Sequence, residues 1–231
     1  MLGGTAIGLP GIGVRGVEDA DAARRALHAA RTTDFIVFVS PNAVRYAYAL
    51  VPSLRFARGT QICAIGAGTQ RALARRGVRD VMRPEQRQDS ESLLALESFV
   101  RVRGCRVTLI AAPGGRELLR EELHRRGAEV ECIDVYRRIA PRLDRRHFEM
   151  LERAAPPLLT LLSSAEAIAH LKTHVPTPLF ARLSASVAIV SSARLAAAAR
   201  AAGWHDIHIA DSANAADLCA AAVTAIAQHR L

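Results

Sequence analysis

The apolar residues of this chain form short runs that alternate with stretches of helical periodicity. The runs are of strand length, are rich in β-branched residues and end at glycine, proline or polar residues, as buried strands do. They lie at residues 35–39, 62–65, 107–112, 129–136, 158–162, 187–190 and 207–210. Apolar residues recur with helical spacing between them, at residues 43–50, 69–76, 116–126, 165–173 and 194–202. This alternation predicts an α/β fold in which parallel sheets carry helices on both faces.

Part of this pattern occurs twice along the chain. Residues 62–81 (ICAIGAGTQRALARRGVRDV) align with residues 188–207 (AIVSSARLAAAARAAGWHDI). A second pair precedes the first in the same order, because FVSPNAV at residues 38–44 resembles LSSAEAI at residues 162–168. Two strand-turn-helix units repeated in one order predict two similar doubly wound parallel-sheet domains.

Three of the predicted helices end in the same way, at Gly77, Gly127 and Gly203. Glycine reaches the left-handed conformation that closes a helix, and arginines just before it interact favourably with the negative end of the helix dipole. We therefore expect a glycine-terminated helix followed by a short strand at all three places.

Composition and charge limit what the two domains can bind. Half of the 231 residues are apolar, which suffices for two modest hydrophobic cores. The chain carries 31 Lys and Arg against 22 Asp and Glu, a formal net charge of +9, which suits a nucleic acid, an anionic membrane or a polyanionic small molecule. The cations are nearly all arginines that stand singly or in pairs, and this diffuse distribution favours a soluble acidic ligand over nucleic acid. The alternative is a solvated arginine surface without a ligand.

Cysteine usage and targeting signals indicate the compartment. The four cysteines, Cys63, Cys105, Cys132 and Cys219, show no CxxC spacing, and no apolar run approaches the roughly 20 residues that span a membrane. Residues 1–13 lack the basic region and the long apolar core of a secretion signal. We therefore expect a cytoplasmic protein with free thiols and no membrane association.

The sequence GIGVRG at residues 11–16 fits the GxGxxG dinucleotide-binding pattern. That pattern binds a pyrophosphate only when a buried strand runs into it and a helix begins inside it. Here Gly8 and Pro10 interrupt the preceding stretch, and a helix more naturally begins at Asp19 or Asp21. We therefore interpret residues 11–16 as a flexible crossing between domains, with a nicotinamide or flavin site as the less favoured alternative.

The turns between predicted strands and helices carry small residues and hydroxyl groups. In a doubly wound sheet, ligands bind outside the carboxyl ends of the strands, where helix N-termini present free N–H groups. Small residues there let a carboxylate approach the backbone, and the sequence shows no metal-ligand cluster or nucleophile-base pair, so we expect anion binding without a cofactor or a metal. The candidate binding residues in these turns are Ser40, Asn42, Gly66, Thr69, Gly114, Gly115, Ser164 and Ser192. The alternative is that each Ser or Thr only caps its own helix.

Five segments follow one another along nearly the whole chain: FIVFVSPNAV, AIGAGTQRALARRGV, PEQRQDSESLL, APGGRELLREELHRRGAEVECIDVYRR and LLSSAEAI. In this order they resemble the uroporphyrinogen-III synthase family. The resemblance implies two α/β domains joined by a two-stranded linker, with residues 17–138 forming a central domain inserted into one built from residues 1–16 and 139–231. Family members begin one strand and one helix earlier, so the resemblance also implies that the first strand-helix unit is missing.

The resemblance further implies an enzyme of tetrapyrrole biosynthesis. Its substrate, hydroxymethylbilane, is a linear tetrapyrrole with eight carboxylates, and loss of its hydroxyl gives an azafulvene that reacts with ring D at the substituted α-carbon. The resulting spiro intermediate fragments and recloses with ring D inverted, which gives uroporphyrinogen III. Uncatalysed closure leaves ring D unflipped, so the enzyme's main task is to fix which carbon is attacked. A two-domain protein that binds an anionic small molecule without catalysis is the alternative.

The matching motifs also imply roles for particular residues. They place the family's tyrosine on Tyr136, its first two turn hydroxyls on Ser40 and Thr69, and its second-domain turns on Ser164 and Ser192. The phenol of Tyr136 would assist the departure of hydroxide or stabilise the developing cation. The alternative is a tyrosine at the edge of the core with a satisfied hydroxyl.

The chain departs from the family pattern at two of these turns. Many members have Arg before the paired glycines, where this chain has Ala111, and a second Thr where this chain has Leu195. The resemblance therefore leaves open whether these two positions contact the substrate. We expect the protein to act as a monomer on a small molecule, without a nucleic-acid partner.

Overall fold

A computed structural model describes residues 4–85, 89–115 and 117–229, which form two compact units. The central unit runs from Val14 to Arg138, and the terminal unit combines the described residues before Val14 with those after Arg138. The chain therefore passes between the units twice, at residues 13–14 and at residues 138–139. Within the described ranges, no helix combines the length and the apolar character that crossing a bilayer requires.

The central unit alternates strands and helices along the chain. With the strands that enter and leave it, its elements are β1 (Gly13–Gly16), α1 (Ala20–Ala29), a 3-10 helix (Ala30–Thr32), β2 (Phe35–Phe38), α2 (Pro41–Leu50), β3 (Gln61–Ala64), α3 (Ala67–Ala74), β4 (Val81–Met82), α4 (Ser90–Leu94), α5 (Glu97–Val100), β5 (Arg106–Ala111), α6 (Glu117–Arg125), β6 (Glu129–Asp134) and β7 (Tyr136–Ile139). β1 and β7 form a two-stranded sheet of their own.

The other strands of the central unit form one parallel sheet in the order β4-β3-β2-β5-β6. The central strand β2, with the sequence FIVF, is buried along its whole length. Its alternate residues enter different cores: Ile36 and Phe38 pack with residues of α1, α2 and α3, whereas Phe35 and Val37 pack with residues of α4, α5 and α6. Helices therefore cover both faces, as predicted, and the carboxyl ends of β2, β3 and β5 lie at one edge of the sheet.

The terminal unit repeats this organisation with fewer described strands. Its elements are α7 (Arg145–Arg153), β8 (Leu159–Leu162), α8 (Ala165–His174), α9 (Thr177–Ser184), β9 (Val187–Val190), α10 (Ala193–Ala202), β10 (Ile207–Ile209) and α11 (Ala215–His229). The strands are parallel in the order β10-β9-β8, the same order as β4-β3-β2. Ala188 and Val190 of β9 enter a core with the fully buried Trp204, and Ile189 enters a second core with Ala225.

The three predicted glycine-terminated helices are confirmed. Gly77, Gly127 and Gly203 have φ of 83°, 84° and 123°, in the range that glycine adopts without strain. After each glycine, the next N–H returns to a carbonyl in the last turn of the helix. The N···O distances are 3.1 Å from Val78 to Leu73, 3.1 Å from Ala128 to Leu123 and 3.0 Å from Trp204 to Ala199.

Two details of the predicted pattern are wrong. Residues 129–136 were expected to form one strand, but the chain leaves the main sheet after Val135, whose N–H makes a 3.1 Å bond to the carbonyl of Ala111. Tyr136 then begins β7, which pairs with β1. Residues 11–16 do cross between the units, as predicted, but they are not an irregular segment, since β1 begins within them. The helix that follows is capped by Asp19, as expected, with its carboxylate 2.8 Å from Ala22 N.

Candidate functional site

The turn after β2 is organised by Ser40. Its backbone is extended, with φ −160° and ψ 162°, and its Oγ accepts a 3.1 Å hydrogen bond from the N–H of Ala43. Pro41 occupies the first turn of α2, where a missing N–H has no cost. Asn42, also predicted as a binding residue, is half-buried in the same turn. Ser40 therefore caps its own helix, which was the alternative to a binding role for the hydroxyls of these turns.

Ser40 also contacts the predicted catalytic tyrosine. Its Oγ lies 3.0 Å from the hydroxyl of Tyr136, and either oxygen can be the donor. Tyr136 is only 6% exposed, and its ring packs into the same core as Ile36 and Phe38. The structure thus brings together two predicted site residues. It also gives Tyr136 the features of the alternative to a catalytic role, which are a position at the edge of the core and a hydroxyl with a hydrogen-bond partner.

The ring of Tyr136 stacks on a second tyrosine, which lies in α2. The centroids of Tyr46 and Tyr136 are 5.6 Å apart and the two planes differ by 16°. The hydroxyl of Tyr46 donates a 3.1 Å hydrogen bond to the carbonyl of Val14 in β1. The guanidinium carbon of Arg45 lies 4.7 Å from the centroid of the Tyr46 ring. The phenol of Tyr136 is therefore held at its oxygen and at its ring.

The turn after β3 differs from the turn after β2. Gly66 caps α3 without a side chain, and its carbonyl accepts hydrogen bonds from Thr69 N and Gln70 N at 3.0 and 3.1 Å. Thr69 lies inside the first turn of α3, past the capping position, and is only 3% exposed. Its hydroxyl is therefore not presented at the surface as the hydroxyl-rich turn predicted, and the backbone of Gly66 is the more accessible group.

The turn after β5 requires both of its glycines. Gly114 has φ +66°, and a Cβ on Gly115 would lie 2.8 Å from the carbonyl oxygen of Ala112, closer than such contacts allow. The exposed Arg138 of β7 donates a 3.2 Å hydrogen bond to the carbonyl of Pro113. This turn therefore carries a guanidinium beside an open backbone, and Arg138 is a cation that the turn pattern alone did not single out.

The corresponding turns of the terminal unit are also capped by serine. Ser164 Oγ accepts from Ala167 N at 3.0 Å at the start of α8, and Ser192 Oγ accepts from Leu195 N at 3.3 Å at the start of α10. Both serines are half-buried. A capping hydroxyl uses one acceptor position for the helix and keeps its own proton, so capping and ligand binding are compatible.

The two positions that depart from the family pattern face the protein interior. Ala111 is buried at the end of β5, and the side chain of Leu195 packs in the core of the terminal unit with Trp204. Neither side chain is placed to contact a polar ligand.

Among the described residues near the central turns, the carboxyl group of Asp134 has a shifted pKa. Asp134 pairs in register with Ala111, immediately before the glycine turn, and partial burial raises the pKa of its carboxyl. In β3, complete burial raises the pKa of the Cys63 thiol to about 12, so this cysteine is not a nucleophile. Among the described residues, no three His, Cys, Asp or Glu side chains cluster as metal ligands.

Comparison with known proteins places this geometry in a family. The family model described as uroporphyrinogen-III synthase HemD matches residues 1–220. The chain belongs to the uroporphyrinogen-III synthase family. It is 31% identical over 190 residues to uroporphyrinogen-III synthase of Escherichia coli (strain K12), covering 79% of this chain and 75% of that protein. The enzyme of Salmonella typhimurium (strain LT2) is 34% identical over 188 residues, covering 78% and 75%.

Solved structures with this fold also come from the uroporphyrinogen-III synthase family. The enzyme of Helicobacter pylori superposes with a TM-score of 0.60 at 14% identity, over 93% of this chain and 90% of that chain. A mutant enzyme of the extremely thermophilic bacterium Thermus thermophilus gives a TM-score of 0.51 at 21% identity, over 85% and 80%. These similarities confirm the predicted α/β fold.

The stacking of Tyr46 on Tyr136 was not identified from the sequence. Tyr46 lies in a stretch predicted as a helix, so its spacing indicated only an ordinary helical position. One feature of the composition was available: aromatic residues make up 4% of the chain, and two of its three tyrosines lie in α2. The concentration of these scarce aromatic residues in the helix that Ser40 caps was the one sign in the sequence that Tyr46 has a special environment.

Proposed function

We propose that this protein cyclises hydroxymethylbilane to uroporphyrinogen III, with inversion of ring D, as a monomer in the cytoplasm and without a cofactor or a nucleic-acid partner. The observation that carries the proposal is the family match over residues 1–220. The hydroxyl pair of Ser40 and Tyr136 at the end of β2 supports it, because the reaction begins with the departure of a hydroxyl group.

The reaction makes one carbon-carbon ring closure and releases one water. The hydroxymethyl carbon loses hydroxide, the pyrrole nitrogen supplies the electron pair, and the azafulvene carbon then bonds to the substituted α-carbon of ring D. Cleavage of the older bond at that carbon and reclosure at the other α-carbon invert the ring, after which a proton is lost. Because electron-rich pyrroles drive the ionisation, the protein chiefly orients the chain.

Tyr136 is proposed to hydrogen-bond the departing hydroxyl. The N–H of Ala43 donates to Ser40 Oγ, which leaves the Ser40 proton free to bond the oxygen of Tyr136. The phenol proton of Tyr136 then points away from this chain of hydrogen bonds, and each bond polarises the next. In this arrangement Ser40 supports the tyrosine, and its role as a direct carboxylate ligand becomes secondary.

The carboxylates of the substrate are proposed to bind at the strand-end turns of each unit. Backbone N–H groups at a helix N-terminus attract anions, and small residues permit close approach. In the terminal unit the proposed ligands are the hydroxyls of Ser164 and Ser192. Thr69 is buried, so we assign it a lesser part. The proposed ligands of the central unit are Asn42, the backbone at Gly66, Gly114 and Gly115, and the guanidinium of Arg138.

The test is incubation of the purified protein with freshly prepared hydroxymethylbilane, followed by chromatographic separation of isomers I and III after oxidation to porphyrins. Isomer III should form faster than isomer I forms in buffer, and heat-denatured protein is the control. Isomer I alone, at the uncatalysed rate, would contradict the proposal even if the protein binds the substrate tightly.

A further inference from the structure

Tyr46 touches both strands of the two-stranded sheet through which the central unit begins and ends. Its ring stacks on Tyr136 of β7 at a centroid distance of 5.6 Å, and its hydroxyl bonds the carbonyl of Val14 in β1 at 3.1 Å. Gly16 lies against the same ring, since a Cβ on that glycine would be 3.8 Å from the Cε1 atom of Tyr46. Tyr46 is therefore fixed by backbone on one side and contacts the predicted catalytic ring on the other.

The stack restricts the rotation of the Tyr136 ring about its Cβ–Cγ axis. The oxygen of a tyrosine lies on the Cβ–Cγ axis, so a hydrogen bond at that oxygen does not fix the ring plane. The near-parallel stack on Tyr46 does fix it. The plane of the Tyr46 ring is in turn set by packing, because the ring lies against Gly16 and against the core of the central unit, while the bond to Val14 holds only its hydroxyl.

We infer that Tyr46 is a positioning residue for the phenol of Tyr136. The inference rests on the proposed function, because a role for Tyr136 in turnover is needed for its orientation to matter. Tyr46 acts through Tyr136 and makes no contact with the reacting atoms. Loss of the stack should therefore lower kcat and leave KM unchanged, since the proposed carboxylate-binding turns are intact.

Two substitutions separate the stack from the hydroxyl bond. Tyr46→Phe keeps the ring and removes the bond to Val14, so kcat should fall by less than about twofold. Tyr46→Leu removes the stack, and kcat should fall by about two- to tenfold, the range expected for an aromatic pair. Tyr48→Phe is the matched control on the same helix, because its buried hydroxyl has no hydrogen-bond partner among the described residues and is not in the stack.

A double-mutant cycle decides between positioning and a general structural role. In a Tyr136→Phe background, Tyr46→Leu should cost almost nothing further in kcat, because the hydroxyl that the stack orients is already absent. If the losses from Tyr136→Phe and Tyr46→Leu multiply, the inference is wrong and Tyr46 is only a packing residue. If Tyr136→Phe alone leaves kcat unchanged, the inference is also overturned while cyclisation stands.

Failure of the proposed function has a different outcome, since the wild-type protein would then form no isomer III. Melting curves of every variant accompany the kinetics. If Tyr46→Leu does not fold, Tyr46→Met replaces it, because methionine fills a similar space without an aromatic face. A fall in kcat for Tyr46→Met that Tyr46→Phe does not share supports the inference, and an equal fall in both contradicts it.

Discussion

The Oγ of Ser40 and the hydroxyl of Tyr136 lie 3.0 Å apart, although 96 residues separate them along the chain. Ser40 follows the central strand of the sheet, and Tyr136 begins the strand that the chain enters after it has left that sheet. The contact therefore joins the proposed anion-binding edge of the central unit to the strand through which the chain leaves it.

Replacing Tyr136 by Phe should slow turnover without unfolding the protein. The ring and its stack on Tyr46 are kept, and only the hydroxyl is lost. Positioned proton transfer contributes about 10²- to 10⁴-fold in enzymes generally, but the pyrroles of the substrate drive ionisation themselves, so we expect a loss below about 10²-fold. The measurement is kcat at saturating hydroxymethylbilane, with the melting temperature as the folding check. Unchanged kcat would make Tyr136 a residue of the core alone.

The capping serines of the terminal unit should separate stability from binding. Replacing Ser164 or Ser192 by Ala removes a cap and should destabilise the protein by about 0.5–2 kcal/mol, whereas replacement by Gly should cost only a few tenths. Both replacements remove the hydroxyl proton, so both should raise KM, by roughly tenfold for a lost bond to a carboxylate.

The cap at Asp144 provides the control for these serines. Its carboxylate accepts from Arg146 N and His147 N at the start of α7, outside the predicted binding turns. Asp144→Ala should lower the melting temperature and leave KM unchanged. If the Gly variants of Ser164 and Ser192 bind substrate as tightly as the wild type, those serines only cap their helices.

The elements could largely be predicted from the sequence, because each depends on neighbours in the chain. The run VAIV at 187–190 predicted its strand without error, and the arginine-glycine pattern located Gly77, the positive-φ residue of the turn that follows α3. The break at Val135 could not be predicted, because the apolar pattern continues across it. After the break the chain pairs as β7 with β1, a strand more than a hundred residues away along the sequence.

The site was predicted less completely than the fold. The turn residues were recognisable by their size and hydroxyl groups, but burial is a tertiary property, so Thr69 and Ser40 looked equivalent in the sequence and differ in the structure. The bond between Ser40 and Tyr136 and the stack on Tyr46 depend on the crossing of separate segments. No local periodicity carries that information.

Substrate affinity should fall as the salt concentration rises. The chain has a formal net charge of +9 and the proposed substrate carries eight carboxylates. Screening shortens the Debye length from about 10 Å at 0.1 M to about 3 Å at 1 M salt, so long-range attraction should weaken over this range. The measurement is KM across that range of sodium chloride, with kcat as the internal control. A constant KM would mean that short backbone hydrogen bonds hold the substrate.

Asp134→Asn should stabilise the protein at neutral pH. Burial raises the pKa of Asp134, so the folded state favours the protonated carboxyl. That contribution to stability is fully present below the ordinary pKa of about 3.9 and is lost as the pH rises through the higher folded value. Melting curves should show the variant above the wild type at pH 7, with the difference shrinking as the pH falls below about 4.

Glu122→Gln provides a control of opposite sign. The hydrogen bonds from Arg125 and Arg126 lower the pKa of Glu122 to about 2. Its contribution is present above the ordinary pKa of about 4.3 and is lost as the pH falls through the folded value. The Gln variant should therefore melt below the wild type at pH 7 and approach it at about pH 2. An Asp134→Asn variant that melts below the wild type at pH 7 would contradict the effect of burial.

The pairing of β1 with β7 has a consequence for how the protein is made. During synthesis, every strand of the central sheet leaves the ribosome before Leu159 of β8, so the central unit can fold while the terminal sheet does not yet exist. Its folding brings Gly13 against Ile139, because a Cβ on Gly13 would lie 3.0 Å from the Ile139 side chain. The two parts of the terminal unit are thus brought together before its sheet forms. Most of the entropic cost of closing the long loop between them is then already met. We therefore expect the central unit, once folded, to hold the two parts of the discontinuous terminal unit close together.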